Sequence, residues 1–215
     1  MANNKATFVV IGPVRLSYAN LLRPYARDGQ EPKYSVTLLV PKSDVGTMQR
    51  VNAAIEAATQ EGVASKWNGQ RPPILATPAH DGDGGRPSDG TEFGPECKGH
   101  YVMTATCRPP QKPEIVDGNL NPVINETEIY SGMYARVSLN FFPYNSNGKK
   151  GIGCGLGNVQ KTGDGEPLGG RTTAVSDFGG VPATPDYTPA TPNYAPQPQQ
   201  GINPLTGQPM GQYGA

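Results

Sequence analysis

The sequence has few cysteines, no net charge and no long apolar run, and each shortage excludes a class of protein. Its three cysteines, Cys97, Cys107 and Cys154, lack the dense spacing of a disulfide scaffold, which favours a reducing compartment such as the cytosol. No stretch is apolar for long enough to span a bilayer, and the first ten residues lack the apolar segment of a signal peptide. We therefore expect neither secretion nor contact with a membrane.

Charge of one sign is not in excess either. The 18 Lys and Arg residues balance 18 Asp and Glu residues, so the basic surplus of many nucleic-acid-binding proteins is missing from the total. Residues 181–215 contain no Lys or Arg and only Asp186 as an acid, which places every basic side chain before residue 181. Any contact with a polyanion must come from basic groups in particular places, and it should release few counterions.

Residues 181–215 also have too few apolar residues to form a packed core. They consist mainly of Pro, Thr, Gln, Asn, Gly and Tyr, a composition that cannot bury enough apolar surface to offset the entropy of ordering the chain. The predicted organisation is one folded domain over residues 1–180 and a disordered tail over 181–215.

The clearest strand pattern covers Ser131 to Tyr144, and the two sides of this strand differ in chemistry. Successive side chains of a strand point to opposite faces, so one face is apolar and the other combines aromatic rings with a guanidinium. Rings beside cationic groups are the components of surfaces on which unpaired bases stack. The core face is Met133, Ala135, Val137, Leu139 and Phe141, and the outer face is Tyr134, Arg136, Ser138, Asn140, Phe142 and Tyr144.

The strand that follows has glycine at alternate positions. Its predicted core face consists of Ile152, Cys154 and Leu156. Its other face has no side chains at Gly153, Gly155 and Gly157. Such a strand can curl sharply or allow a ligand to approach its backbone closely. No Gly-Lys-Ser or Gly-Lys-Thr follows, which argues against a phosphate-binding loop for nucleoside triphosphates.

The remaining patterns predict a mainly β protein, an OB-fold-like Greek-key barrel with one mid-chain helix and a disordered C-terminal tail. The helix is expected between the third and fourth strands, with Ser43 or Asp44 as its cap. Gly12-Pro13 interrupts the first strand, which predicts a bulge or an edge position. Residues 6–22 predict a first strand pair or one bent strand. The other elements are strands within 32–40 and 98–107, a hairpin of 114–118 with 124–130, and helix positions Val45, Met48, Val51, Ile55 and Ala58.

Three local features have alternative interpretations. Asp81 and Asp83 resemble part of a calcium loop, but the ligand pattern of an EF-hand is incomplete, so a loop without metal is favoured. Cys97, His100 and Cys107 do not have the spacing of a zinc site. Trp67, the single tryptophan, is interpreted as a lid on the core, with base stacking as the alternative.

Seven motifs follow one another along the chain: VRLSYANL from Val14, PKYSV from Pro32, LVPKSD from Leu39, KGHY from Lys98, YSG from Tyr130, GLGNVQK from Gly155 and DGEPLGGR from Asp164. Together they resemble a bacteriophage family of single-stranded DNA-binding proteins with an OB fold, formerly a phage domain of unknown function. The resemblance runs from about Ala6 to Phe178 and implies sequence-independent binding and protection of single-stranded DNA in phage replication, recombination and repair, with no catalytic residues and no cofactor. The C-terminal tip, GQPMGQYGA, departs from the acidic tip common among single-strand-binding proteins.

Together, these observations predict a DNA-binding face and no catalytic or metal site. The expected partners are single-stranded DNA, replication and recombination proteins of phage or host, and a second copy of the chain, all in the cytoplasm of the infected bacterium. Two rival hypotheses are a structural or protein-interaction module that uses the same aromatic face, and a nuclease. The predicted DNA contacts are Tyr134, Arg136, Phe142, Tyr144, Lys33, Arg15, Tyr18, Lys149, Lys150 and His100.

Overall fold

A computed structural model describes residues 5–26, 29–146 and 148–169 of the 215-residue chain. The boundary predicted at residue 180, and the tail beyond it, lie outside the described residues. The strands are β1 (Phe8–Tyr25), β2 (Lys33–Pro41), β3 (Ala79–Asp81), β4 (His100–Cys107), β5 (Ile115–Val116), β6 (Tyr134–Ser146) and β7 (Lys149–Gly163), and the helix is α1 (Val45–Ser65).

The sheet closes on itself into a barrel. Its strands follow the order β3-β4-β2-β1-β6-β7-β5, and an additional parallel pairing of β4 with β7, Thr106 opposite Gly155, joins the two sides. The neighbouring pairs β1–β2, β1–β6, β2–β4 and β6–β7 are antiparallel. The closed barrel of β1, β2, β4, β6 and β7 confirms the predicted fold class.

β1 is one continuous, bent strand. Its register against β6 shifts between Ile11 and Val14, so the bulge predicted at Gly12-Pro13 is confirmed. Gly12 has φ +116°, and a Cβ at this position would lie 2.5 Å from the Ala135 carbonyl oxygen, so a larger residue would strain this crossing. Because residues 8–25 form a single strand, α1 follows the second strand, and its predicted place between the third and fourth strands is wrong.

The helix closes one end of the barrel with an apolar stripe. Asp44 caps it by accepting a hydrogen bond from the Thr47 backbone nitrogen at 3.0 Å. The side chains at positions 48, 51, 55 and 58 are buried as predicted. Val45 is the exception, because the first helical residue is exposed and the buried stripe begins with Thr47 and Met48.

Trp67 follows α1 and belongs to the core. Its side chain is 1% exposed, and its indole nitrogen donates a hydrogen bond to the Tyr144 carbonyl oxygen at 3.1 Å. The interpretation as a lid is confirmed, and the ring is not accessible for base stacking.

The hairpin predicted around residue 118 forms, but its return arm begins earlier in the chain than expected. Asp117 donates its backbone N–H to the Asn121 carbonyl at 2.8 Å, and its carboxylate accepts from the Asn119 and Asn121 backbone nitrogens. This tight turn makes Val123 the partner of Ile115, and β5 pairs in parallel with β7. The return arm predicted at 124–130 is therefore wrong, and Glu126–Glu128 forms a 3-10 turn.

Candidate nucleic-acid interface

β6 has the two faces that its sequence predicts. All five predicted core residues, from Met133 to Phe141, are buried inside the barrel. On the outer face Tyr134, Arg136 and Phe142 are exposed and Tyr144 is half-buried. The exposed aromatic rings therefore lie on the outside of a closed barrel, on a scaffold that the core holds rigid.

The outer rings of Phe142 and Tyr144 lie against glycines of β7. Phe142 pairs with Gly153 and Tyr144 with Gly151. A Cβ at Gly153 would overlap the Phe142 ring, and one at Gly151 would lie 2.5 Å from the Tyr144 hydroxyl. The alternating glycines therefore provide the space in which the two rings rest on the neighbouring strand.

These two rings line a cleft of about 840 Å³, which we call the ring cleft. Its other walls come from β1, β2, β4, the segment after β4, and β7, which meet here because the barrel is closed. Of the predicted contacts it contains Phe142, Tyr144 and Lys33. The lining residues with polar or aromatic side chains are Phe8, Lys33, Thr106, Arg108, Gln111, Asn140, Phe142 and Tyr144.

A second cleft of about 460 Å³, the tyrosine cleft, lies on the outer face of β1, β2 and β4. Tyr18 and Tyr25 line it, with 64% and 58% of their surfaces exposed. Tyr18 has φ 47°, at a point where the register between β1 and β2 shifts, so the bulge turns this ring outward. Lys33 and Thr106 line both clefts, so the clefts meet between β2 and β4.

Three of the predicted contacts lie elsewhere: Tyr134 and Arg136 of β6, and Arg15 of β1, which lies beside Tyr134. We call this group the far end of β6. Tyr134 lies eight positions from Phe142, about 26 Å along an extended strand. Arg15 pairs with Tyr134 across β1 and β6, and its guanidinium donates to the Glu166 carbonyl oxygen at 2.7 Å. Arg136 donates to the Gln160 side-chain oxygen at 3.2 Å. The structure thus divides the predicted face into two separate parts.

The last three predicted contacts lie at the starts of β7 and β4. Lys149 and Lys150 begin β7, opposite Ser146 and Asn145, next to the position of Tyr144. His100 begins β4, and its Nδ1 lies 2.7 Å from the Lys98 carbonyl oxygen. None of these three side chains lines the ring cleft or the tyrosine cleft in the described residues.

The two carboxylates of the loop that resembles a calcium site pair with one lysine. The Lys42 ammonium lies 2.6 Å from carboxylate oxygens of both Asp81 and Asp83. Its hydrogen bonds hold the pKa of both aspartates below the usual range and raise the pKa of Lys42. These carboxylates hold the loop to the end of β2.

The cysteines that were considered as zinc ligands do not share an environment. Cys154 lies in the barrel core, where burial raises the pKa of its thiol to about 12. Cys97 belongs to a separate apolar cluster with Leu39 and Val102. Within the described residues, no three His, Cys, Asp or Glu side chains form a group that could hold a metal ion.

No helix in these ranges combines the length and apolar character needed to cross a membrane.

Sequence reasoning missed several residues of the clefts. The predicted contacts did not include Tyr25, Arg86 and Phe93 of the tyrosine cleft or Arg108 of the ring cleft. Arg86 and Phe93 line the tyrosine cleft because residues 82–97 fold back over the barrel. No local sequence pattern signals this return, since it depends on contacts with β2 and β4.

Two solved structures that align with this chain come from bacteriophages. The chain aligns with the single-stranded DNA-binding protein from bacteriophage Enc34, in a complex with ssDNA, at 28% identity and a TM-score of 0.64, over 77% of this chain and 91% of that one. It also aligns with the single-stranded DNA-binding protein gp2.5 of bacteriophage T7 at 17% identity and a TM-score of 0.53, over 80% and 93% of the two chains. The second alignment shows a common fold.

Sequence comparison gives the same direction. The putative protein p50 of Acyrthosiphon pisum secondary endosymbiont phage 1 is 26% identical over 176 residues, which cover 79% of this chain and 91% of that protein. A family model described as "Enterobacter phage Enc34, ssDNA-binding protein" matches residues 7–188. The barrel, the aromatic clefts on its outside and a match over most of the chain agree, and the chain belongs to this family of phage ssDNA-binding proteins.

Proposed function

We propose that this protein binds and protects single-stranded DNA without sequence preference during phage DNA replication, recombination and repair. The observation that carries the proposal is the pair of outer rings, Phe142 and Tyr144, that rest on β7 glycines in the same cleft as Lys33. Family membership and the Enc34 complex support it.

In the proposed mode the strand follows the two clefts where they meet between β2 and β4. Bases stack on Phe142 and Tyr144 in the ring cleft and on Tyr18 in the tyrosine cleft. Aromatic stacking tolerates any base and contributes roughly 1–3 kcal/mol per base, so three rings provide substantial affinity with few charges. Lys33 lies at the junction, where it neutralises a phosphate.

The single strand is the expected form of the ligand because stacking on protein rings requires an unpaired base. In a duplex the base faces are already stacked and the edges are paired, so the rings of the clefts have no face to contact. The two clefts should therefore discriminate between single-stranded and double-stranded DNA without reading sequence.

We further propose which residues bind DNA and where in the infected cell the protein acts. Residues 1–180 constitute the DNA-binding domain, and residues 181–215 add no DNA contact that the domain requires. The protein performs no catalytic step, acts in the cytoplasm of the infected bacterium, and works beside replication and recombination proteins of phage or host. The family match covers the proposed domain from residue 7 onward.

A gel-shift assay with the full chain tests the proposal. Labelled single-stranded DNA of mixed sequence should shift, a duplex of the same sequence should shift only at much higher protein concentration, and the single strand should stay intact when magnesium is present. A chain that shifts neither form would leave the aromatic clefts as a protein-interaction surface. Magnesium-dependent cleavage would instead identify a nuclease.

A further inference from the structure

Residues 82–97 form an outer wall of the tyrosine cleft. Gly82 begins the segment and donates its backbone N–H to the His100 carbonyl at 2.9 Å. Near the other end, Phe93 packs on the buried cluster of Leu39, Cys97 and Val102. The segment is thus attached at both ends to the outer face of β2 and β4.

The same segment is fixed to the barrel by charge. Lys42 at the end of β2 pairs with Asp81 and Asp83, and Asp83 also accepts a hydrogen bond from the Gly99 backbone nitrogen at 2.9 Å. Networks of ion pairs and backbone hydrogen bonds hold a loop more firmly than a single surface pair does. These contacts connect the start of the wall to the end of β2 and to Gly99.

Arg86 lies on this wall with its guanidinium over an aromatic ring. The guanidinium carbon is 5.8 Å from the centre of the Phe93 ring, and both residues line the tyrosine cleft with Tyr18 and Lys33. The backbone of Arg86 closes a turn, because its N–H donates to the Thr91 carbonyl at 2.7 Å and its carbonyl accepts from Gly90 at 2.8 Å. The backbone position of Arg86 is therefore fixed.

Two carboxylates lie near Arg86 without neutralising it. Glu96 lines the same cleft, and the pKa of Asp89 is lowered mainly by hydrogen bonds from Thr91 and to a smaller extent by Arg86. In the described part of the chain, neither carboxylate forms a salt bridge with Arg86. An arginine that stacks on a ring keeps the N–H groups at its edge free, and their fork geometry fits two phosphate oxygens.

We propose that Arg86, stacked on Phe93, binds a backbone phosphate of the single strand in the tyrosine cleft. This inference rests on the proposed function and adds a phosphate contact from a segment that sequence reasoning treated as a loop. It makes the wall 82–97 part of the DNA site, with Phe93 as a positioning residue and Arg86 as the contacting residue.

The test compares variants of the full chain in fluorescence titrations of labelled oligo-dT over a series of salt concentrations. Arg86→Ala should lower the affinity about tenfold and reduce the slope of log K against log salt by about 0.7, the value for one phosphate on a single strand. Arg86→Lys should restore the slope and only part of the affinity, because an ammonium keeps the charge and loses the fork. Phe93→Leu should weaken binding less and leave the slope nearly unchanged.

Arg71→Ala is the matched control. Arg71 is also exposed and pairs with Glu56 of α1, and it lines neither cleft. Its replacement should change neither affinity nor slope, and the thermal unfolding of each variant checks that the barrel is intact. Unchanged affinity and slope in Arg86→Ala, with Phe142→Ala still impaired, would overturn the inference and leave the proposed function in place. Absence of binding by the unsubstituted chain would overturn both.

Discussion

The two ends of β6 carry similar residues on the same outer face, and the structure treats them differently. At one end Phe142 and Tyr144 lie on glycines in an open cleft with Lys33. At the other end Arg15 is held by the Glu166 carbonyl, and Gly165 lies against the Tyr134 ring. Tyr134 is nearly as exposed as Phe142, at 40% against 44%, so the two ends differ in the cleft beside the ring and in the contacts of Arg15.

The last part of the described chain contacts the far end of β6. Segment 164–168 crosses there, because the Tyr130 hydroxyl donates to Asp164 at 3.0 Å and Leu168 donates to the Ser131 carbonyl at 2.7 Å. Lys161 adds an ion pair to Asp164 at 2.8 Å. We therefore expect Arg15 to have a structural role and Tyr134 to lie away from the bound strand, since neither residue lines either cleft.

The largest expected effect separates the rings at the two ends. Replacing Phe142 and Tyr144 together by alanine should weaken oligo-dT binding by about 2 kcal/mol or more, roughly thirtyfold, because two stacking surfaces are lost. Tyr134→Ala, the matched single-ring control, should leave the affinity within about twofold. Fluorescence titration measures both, and an equal loss in the Tyr134 variant would erase the difference between the ends.

A smaller effect separates the cations. Lys33→Ala should lower the affinity several-fold and reduce the salt slope by about 0.7, because one phosphate contact at the junction of the clefts is removed. Arg136→Ala also removes one positive charge. Because the Arg136 guanidinium already donates a hydrogen bond to Gln160, we expect this variant to leave the salt slope unchanged. The same loss of slope in both variants would mean that the strand also reaches the far end of β6.

The smallest effect concerns the support of the rings. Gly153→Ala places a Cβ where the Phe142 ring lies and should tilt that ring, which lowers the affinity by about two- to fivefold with all rings still present. Gly163→Ala is the control, since no atom lies within 4 Å of a Cβ at this position of the same strand. If both variants bind like the unsubstituted chain, the glycines do not position the ring.

The faces of β6 could be predicted from the sequence because strand alternation is a local property. The pattern from Met133 to Tyr144 separates core from surface without knowledge of any neighbour, and the alternating glycines of β7 indicate an open face in the same way. The barrel followed from the order of such strands and from the resemblance to the phage family.

The sequence could not predict which outer residues already contact other parts of the chain, because these contacts join distant segments. Arg15 and Glu166 are 151 positions apart, and the return of residues 82–97 depends on Lys42 and on the cluster around Leu39. The place of α1 was also missed, since a bulge at Gly12 bends one strand where the sequence pattern is equally consistent with two.

Photochemical cross-linking tests the central claim most directly, because it reports which residues touch the bases. Full-length protein is irradiated with a single strand that contains 5-bromouracil, and the cross-linked peptides are identified by mass spectrometry. We expect cross-links at Phe142, Tyr144 and Tyr18. Cross-links confined to Tyr134 would contradict the account and place the strand at the far end of β6.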